Sequence, residues 1–164
     1  GNKNLLFWYE KLFEIQFSGI DDIGGKRILE VGSGTSPLKL FYSNVITSDI
    51  LELDYLDIVF DCHDIDKCGK IERESLDIIA VTNVLHHLKD PVSFLVKSSL
   101  VLKKGGLVIM MSASSRSFLI SLLLKSPSPT RYCHWRSSIL ILLSPELSAV
   151  RVKIFPLTIV LVSS

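Results

Sequence analysis

Two glycines separated by one residue, Gly32 and Gly34, follow a short apolar run, and a carboxylate, Glu30, stands just before them. This spacing allows a sharp turn and lets a ligand approach the backbone closely. A carboxylate at that place repels a phosphate and attracts an ammonium or sulfonium group. The dinucleotide-binding pattern needs a further glycine where Pro37 stands. The loop therefore favours a cationic ligand over a pyrophosphate cofactor, and a plain glycine turn beside a solvated glutamate is the alternative for this segment alone.

Polar side chains also follow three later apolar runs. Asp49 ends the second run, about 17 residues after Gly32, where a carboxylate can accept two hydrogen bonds from a ribose diol. Asp61-Cys62-His63 follows the third run and is placed to border an adenine ring, and Thr82–His87 follows the fourth. Because ligands of open α/β sheets bind outside the carboxyl ends of the strands, the ordered set predicts one shared site.

Five apolar runs of strand length separate these residues and predict the elements that position them. The predicted strands are Arg27–Val31, Asn44–Ser48, Tyr55–Phe60, Ser75–Val81 and Leu107–Met111. Only about seven residues separate Asp49 from Asp57, whereas a crossover with its own helix needs at least ~10–12. The pattern therefore predicts a parallel α/β sheet whose second crossover has a reduced helix or none.

Patterns typical of helices precede the first predicted strand and separate the fourth predicted strand from the fifth. Lys3–Phe17 has amphipathic spacing, and its aromatic residues Phe7, Trp8 and Tyr9 are expected to pack on the sheet or to cover the site. Asp90-Pro91 predicts a helix start, and the helix is expected to run to about Leu102. Lys103-Lys104 would then lie in its last turn, before the Gly105-Gly106 pair.

The composition fits a single globular domain. The chain has 164 residues, of which 48% are hydrophobic and 21% charged. Three cysteines do not make a disulfide framework, so reduced thiols and a cytoplasmic location are expected. The net charge of +1 gives no pull toward nucleic acid. No apolar run approaches the roughly 18–20 residues of a membrane span.

The ordered motifs resemble the class I S-adenosylmethionine-dependent methyltransferases, and within them the type 11 small-molecule group. The resemblance covers about residues 25–112, and its motif segments are Ile28–Thr35, Val45–Ile50, Leu76–Leu88, Asp90-Pro91 and Val101–Gly106. It implies a Rossmann-like parallel sheet in the order 3-2-1-4-5 within a single methyltransferase domain, residues 1–164. It also implies S-adenosylmethionine as the cofactor and a small-molecule or carrier-linked methyl acceptor.

The resemblance also implies roles for individual residues. Glu30 and Gly32 would serve the methionine end of the cofactor, Asp49 the ribose, and Asp61 with Cys62 the adenine. Asn83 would lie beside the sulfonium. The further cofactor contacts would be Ser33, Gly34 and Ile50. Ser36 departs from the family pattern, because a third small glycine is usual at that position.

His86 and His87 are the candidate catalytic residues. A neutral imidazole could take a proton from a hydroxyl or amine acceptor. Successive loop residues point in different directions, so at most one of the two would reach substrate, and loop packing or capping is the alternative role. Cys62, His63 and Cys68 fit zinc by ligand type, but the set lacks a paired C-x-x-C spacing and a fourth ligand, so we predict no metal site.

The chain changes character after Met111, where six basic residues stand against one acid, Glu146. Residues 113–164 are therefore interpreted as a divergent or incomplete end of the domain. Val150–Phe155 and Leu157–Val162 are typical of strands around Pro156, and a terminal antiparallel hairpin is one interpretation. Apolar runs such as Phe118–Leu124 suggest a homodimer contact through this region. If the tail has lost its substrate-binding part, the alternative function is a cofactor-binding or interaction module without turnover.

Overall fold

A computed structural model of the chain describes residues 3–82, 84, 87–111, 131–135, 138–142, 149–154 and 157–162. Its central element is a parallel sheet of five strands in the order β3-β2-β1-β4-β5. The strands are β1 (Ile28–Val31), β2 (Val45–Asp49), β3 (Ile58–Val59), β4 (Leu76–Thr82) and β5 (Leu102–Met111). The predicted α/β fold with strand order 3-2-1-4-5 is confirmed.

In the described part of the chain, three α-helices connect or cover these strands: α1 (Lys3–Gln16), α2 (Leu38–Phe41) and α3 (Pro91–Val101). A 3-10 segment, Cys62–Lys67, leads from β3 toward β4. The start of α3 is as predicted, because the Asp90 carboxylate accepts a 3.0 Å hydrogen bond from the Ser93 N–H and Pro91 occupies the first turn. Residues 50–57, all of which are described, contain no helix, so the predicted loss of the second crossover helix is confirmed.

The third strand is shorter than predicted. Instead of Tyr55–Phe60, only Ile58–Val59 pairs with β2. The Asp57 carboxylate accepts hydrogen bonds from the Thr47 N–H at 2.8 Å and from the Thr47 hydroxyl at 2.9 Å. The Asp57 side chain thereby occupies the Thr47 N–H, which a longer ladder between β2 and β3 would use. Strand β3 begins directly after Asp57.

The fifth strand begins earlier than predicted. Because α3 ends at Val101 and β5 starts at Leu102, the Lys103-Lys104 pair lies in the strand and not in the last helical turn. The pairing with β4 shifts register at this point, as in a β-bulge, and Gly105 has a φ of +77°. The Lys103 ammonium donates to Asp77 Oδ2 at 2.9 Å, which ties the irregular segment to β4.

Alternate residues of the strands face two different layers. On one face, Val81 of β4 packs with Phe94 of α3. On the other face, Ala80 of β4 packs with Phe13 of α1. Glu30 follows Ile28, a member of this second cluster, by two positions, so the strand alternation places Glu30 on the α1 face.

The sheet continues beyond β5 with four antiparallel strands in the order β9-β8-β7-β6. They are β6 (Arg131–Trp135), β7 (Ser138–Leu142), β8 (Ala149–Ile154) and β9 (Leu157–Val162). The terminal hairpin stays a prediction, because its turn at residues 155–156 lies outside the described residues, as does Phe118–Leu124. Among the described residues, no helix is both long and apolar enough to cross a membrane.

We expect Asp57→Ala to destabilise the fold in a pH-dependent manner. Burial acts to raise the pKa of Asp57, but hydrogen bonds from Lys39 and Thr47 outweigh it and hold the pKa below its usual value. A depressed pKa stabilises the fold above the unfolded value, and this contribution is lost as the pH falls through the folded value. Because the side chain is more than a third exposed, the loss at pH 7 should be only about 1 kcal/mol.

Urea denaturation of the Asp57→Ala variant at several pH values measures this contribution. The difference from the wild type should shrink as the pH falls below about 4 and should disappear once the pH is below the lowered pKa of Asp57. Asp54→Ala is the matched control, because it removes the same charge from the same connection. Equal losses in the two variants, or a loss independent of pH, would contradict the assignment.

Candidate functional site

A cavity of about 530 Å³ opens at the carboxyl ends of the parallel strands. Its wall consists of the turn after β1 (residues 31–36), the end of β2 (residues 48–51), Phe60 and Cys62 after β3, Val84 and His87 after β4, and Tyr9 of α1, together with Glu30 and Thr82. The volume is within the ~300–1,000 Å³ of small-molecule sites. The cavity lies where the sequence predicted the shared site.

Buried hydrogen bonds tie the turn after β1 to the end of β2. The Ser33 N–H donates to the Ser48 carbonyl oxygen at 2.8 Å, and the Ser48 N–H donates to Ser33 Oγ at 3.1 Å. The Ser48 hydroxyl in turn donates to the Glu30 carbonyl oxygen at 2.7 Å. The turn is therefore closed against the neighbouring strand, and its backbone forms one rim of the cavity.

Gly32 stands where the chain turns and where another loop comes very close. Its φ is +68°, a conformation that favours glycine. A Cβ atom at this position would lie 2.2 Å from Val84 Cγ2, in the loop after β4. Glycine is therefore required at position 32 for two reasons: the positive φ of the turn and the close approach of the loop after β4.

Glu30 is buried at the base of the turn, with 1% of its surface exposed. The Ser36 hydroxyl donates to Glu30 Oε1 at 2.6 Å, whereas Oε2 is buried and has no hydrogen-bond partner among the described residues. Burial raises the pKa of the Glu30 carboxyl above its usual value, and hydrogen bonds from Ser36 and Ser33 act in the opposite direction. The alternative of a solvated glutamate is therefore wrong.

Asp49 lies across the turn from Glu30 and is held by backbone donors. Its Oδ2 accepts from the Gly34 N–H at 2.9 Å, and its Oδ1 accepts from the Leu51 N–H at 3.0 Å. The Tyr55 hydroxyl donates to the Gly34 carbonyl oxygen at 2.6 Å, which supports the same turn from the short crossover. Each Asp49 oxygen keeps lone pairs for hydroxyl donors, as a ribose diol would supply. Ile50, the next residue, is 64% exposed and lines the cavity.

The segment after β3 contributes Cys62 to the cavity but not Asp61. Burial, followed by the negative charge of Asp61, raises the pKa of the Cys62 thiol to about 11, so this side chain is a neutral thiol at pH 7. Asp61 instead caps the 3-10 segment, because its Oδ1 accepts from the His63 N–H at 2.9 Å and lies 2.7 Å from His63 Nδ1. An adenine contact by Asp61 stays a prediction.

Asp61, Cys62 and His63 also bring three ligand atoms within 4.8 Å of one another. This set has Asp61 where the sequence suggested Cys68 as a third zinc ligand. The raised pKa of the thiol opposes metal binding, because thiolate is the form that ligates zinc. Asp61 is already hydrogen-bonded to His63, so the arrangement favours a local cap over a metal centre.

Of the predicted residues after β4, His87 lies at the cavity. It is exposed, and its N–H donates to the Val84 carbonyl oxygen at 2.8 Å. Asn83 and His86 lie outside the described residues. Their roles beside the sulfonium and as a proton acceptor stay predictions.

Tyr9 of α1 lines the cavity, although the sequence did not single it out from its neighbours. Phe7 and Trp8 are 52% and 69% exposed, so the expectation that they pack on the sheet or cover the site is wrong. Helical spacing distinguishes Tyr9 from Phe7 and Trp8, because Tyr9 lies on the same face of α1 as the buried residues Phe13 and Gln16. The Gln16 amide donates to the Thr82 hydroxyl at 3.2 Å and anchors this end of α1 on β4.

The carboxylates that line the cavity face no basic lysine or arginine among its described lining residues. Two carboxylates, those of Glu30 and Asp49, belong to its wall, and its described lining residues include no lysine or arginine. An anionic ligand would therefore be repelled and a cationic ligand attracted. The site can bind a small molecule that carries both a positive charge and vicinal hydroxyl groups.

Comparisons with known proteins bear on the family and on the fold of the chain. The family model of a methyltransferase domain matches residues 29–110, which is half of the chain. No curated protein matches the chain at a significant level.

Several solved structures share the fold. A SAM dependent methyltransferase from Aquifex aeolicus is 14% identical with a TM-score of 0.57, and the match covers 94% of this chain and 88% of that one. MycE, a methyltransferase from the mycinamycin biosynthetic pathway in complex with Mg and SAH, is 15% identical with a TM-score of 0.55, over 96% of this chain and 47% of that one. The CurJ carbon methyltransferase is 15% identical with a TM-score of 0.54, over 94% and 53%. The chain spans only about half of the length of the last two.

We expect Gly32→Ala to destabilise the protein more than Gly19→Ala. Both glycines have positive φ, at +68° and +80°, so each alanine incurs a backbone strain of roughly 1–3 kcal/mol. A Cβ at Gly19 would meet nothing within 4 Å, whereas one at Gly32 would meet Val84. Urea denaturation of the two variants separates strain from contact.

Adding Val84→Ala to the Gly32→Ala variant should recover part of the extra loss, because the smaller side chain removes the clash. Equal losses for Gly19→Ala and Gly32→Ala, or no recovery in the double variant, would show that Val84 does not require a glycine at this turn.

Proposed function

This chain belongs to the methyltransferase domain family whose model matches residues 29–110, and on that basis we propose that it transfers the methyl group of S-adenosylmethionine to a small-molecule or carrier-linked acceptor. The observation that carries the proposal is the pair of carboxylates on the two sides of the glycine turn. Buried Glu30 has one acceptor oxygen without a partner, and Asp49 has lone pairs left for hydroxyl donors.

The residues present fit this cofactor. Its amino-acid part carries an ammonium group, which suits the unpartnered Oε2 of Glu30 at the cavity wall. Its ribose carries two neighbouring hydroxyls, which suit Asp49. The apolar side chains of Ile50 and Phe60, with the neutral thiol of Cys62, suit the flat face of an adenine ring. Backbone atoms of Gly32 and Gly34 allow the close approach that side chains would prevent.

When it is bound, S-adenosylmethionine supplies a methyl group made electrophilic by the sulfonium. The protein then has to hold an acceptor in line with that methyl group and to keep water away from it. Tyr9, Val84 and His87 border the cavity and are the described residues placed to contact an acceptor. We propose His87 as proton acceptor for a hydroxyl or amine, with His86 as the alternative, because both follow β4.

A cofactor-binding module without turnover is the second candidate. Its support is that the family match ends at residue 110, close to the point where the composition becomes basic and rich in serine and leucine. Binding without methyl transfer would identify this function. A labelled-methyl transfer assay with small hydroxyl, amine and carrier-linked acceptors distinguishes the two candidates.

The cellular location, the homodimer contact and the class of acceptor stay predictions. The cysteine count supports a cytoplasmic location, and the apolar runs after Ser112 support a homodimer contact through the C-terminal region. The balanced charge supports a small-molecule acceptor over a nucleic acid.

We expect Asp49→Ala to weaken cofactor binding about ten- to a hundred-fold, because it removes charge-assisted hydrogen bonds worth ~1.5–3 kcal/mol. Titration calorimetry with S-adenosylmethionine and with S-adenosylhomocysteine measures the change. Asp49→Asn, which keeps one acceptor oxygen, should lie between the wild type and Asp49→Ala.

Glu52→Ala is the matched control for Asp49→Ala, because it removes a carboxylate from the same connection outside the cavity wall. Thermal unfolding of each variant shows whether the loss of the Gly34 and Leu51 contacts disturbs the turn. An unchanged dissociation constant in a folded Asp49→Ala variant would rule out the ribose assignment.

A further inference from the structure

Ser36 stands where the family pattern has its third glycine, and its hydroxyl contacts the buried carboxylate. The Ser36 Oγ accepts a hydrogen bond from the Leu38 N–H at 3.3 Å and lies 2.6 Å from Glu30 Oε1. A backbone N–H can only donate, so the serine oxygen accepts there and its own proton remains for the carboxylate. The Ser36 N–H also donates to the Ser33 carbonyl oxygen at 2.7 Å, so the hydroxyl projects from a closed turn.

Because Glu30 is buried, its carboxylate depends on the hydrogen bond from Ser36. An ionised carboxylate in an apolar environment is costly unless hydrogen bonds or an opposite charge compensate it. Among the described residues, Ser36 makes the 2.6 Å hydrogen bond to Glu30 Oε1 and favours the ionised carboxylate more than Ser33 does, and Oε2 has no hydrogen-bond partner. The 2.6 Å separation is in the ~2.5–2.7 Å range of charge-assisted O–H···O⁻ bonds.

We propose that Ser36 is a positioning residue for the cationic end of the cofactor. Its hydroxyl holds the Glu30 carboxylate by Oε1, so that Oε2 is the acceptor left for the ammonium group. A glycine at position 36 cannot make this contact. The inference rests on the proposed function and extends it to a residue that departs from the family pattern.

Other titratable groups border the same cavity and have to be kept constant in a test. They are Tyr9 from α1, Asp49 from β2, Cys62 after β3 and His87 after β4. All four remain in every Ser36 variant, so a difference between variants reports the loss of the Ser36 hydroxyl, which contacts Glu30 and the Leu38 N–H.

The first measurement uses the cofactor-free protein and follows the titration of Glu30 by carboxyl ¹³C NMR, with the resonance assigned by Glu30→Gln. The hydroxyl-free variants Ser36→Ala and Ser36→Gly should shift the Glu30 midpoint upward, because they remove the hydrogen bond that favours the ionised form. Ser36→Thr, which keeps a hydroxyl, should retain the wild-type midpoint. Ser43→Ala is the matched control, because Ser43 is exposed and lies outside the cavity wall.

The second measurement is calorimetric binding of S-adenosylhomocysteine, which carries the ammonium but no sulfonium, at a pH between the Glu30 midpoints measured for the wild type and the variants and at a pH well above both. Ser36→Ala and Ser36→Gly should bind about ten-fold more weakly than the wild type at the lower pH, with a smaller difference at the higher pH. A purely structural role for Ser36 would weaken binding equally at both pH values. Two hydroxyl-free variants are used so that misfolding of one does not decide the result.

The outcomes separate this inference from the proposed function. An unchanged Glu30 midpoint in both hydroxyl-free variants overturns the inference, and so does a shifted midpoint without a pH-dependent change in affinity. Wild-type protein that binds neither S-adenosylmethionine nor S-adenosylhomocysteine overturns the proposed function and the inference with it. Wild-type binding together with unaffected Ser36 variants overturns the inference alone.

Discussion

The hydrogen bonds between Ser33 and Ser48 are the constraint on which the cavity depends. Where β1 ends, its backbone groups lose their ladder partners, and buried groups of this kind have to be satisfied within the protein. Here the end of β2 supplies the partners, through both backbone and hydroxyl groups of Ser48. The turn cannot move away from β2 without exposing these groups, so its backbone keeps one shape and Glu30 and Asp49 keep their places on either side.

The two carboxylates of the site belong to different environments although they lie close together. Glu30 is on the face covered by α1, is almost without exposed surface and receives a serine hydroxyl. Asp49 is partly exposed at a strand end and receives two backbone N–H groups. One position therefore suits a compact cation, and the other suits hydroxyl groups. In the proposed function, two carboxylates would thus serve two different parts of one ligand.

The parts that could be predicted from the sequence are those that depend on local patterns. Periodicity located the five parallel strands, and the distance between Asp49 and Asp57 predicted a reduced or absent crossover helix. Their order came from the family resemblance, because strand order is a long-range property that periodicity does not contain. Gly32 and Asp49 were found because a turn and a strand end restrict which residue types can stand there.

The short β3 and the role of Ser36 were missed because they depend on side-chain contacts that form only in the folded chain. The side chain of Asp57 reaches Thr47 and shortens β3, which no local signal of the strand reveals. Ser36 was recognised only as a departure from a pattern, since its contact with Glu30 exists only after the turn has closed. Asp61 stands at the expected strand end, and a local hydrogen bond from the His63 N–H engages its side chain there, so its adenine contact stays a prediction.

The two ends of helix α1 are buried to different extents, and the helix contributes Tyr9 to the cavity wall. The last turns of the helix, with Phe13 and Gln16, are packed on the sheet, whereas Phe7 and Trp8 near its start are mostly exposed. Local opening of a segment costs little free energy when it uncovers little apolar surface. The first turns of α1 therefore cost less free energy to open than its last turns. Tyr9 stands at the boundary between the two parts, so α1 lines the cavity next to its own least buried section.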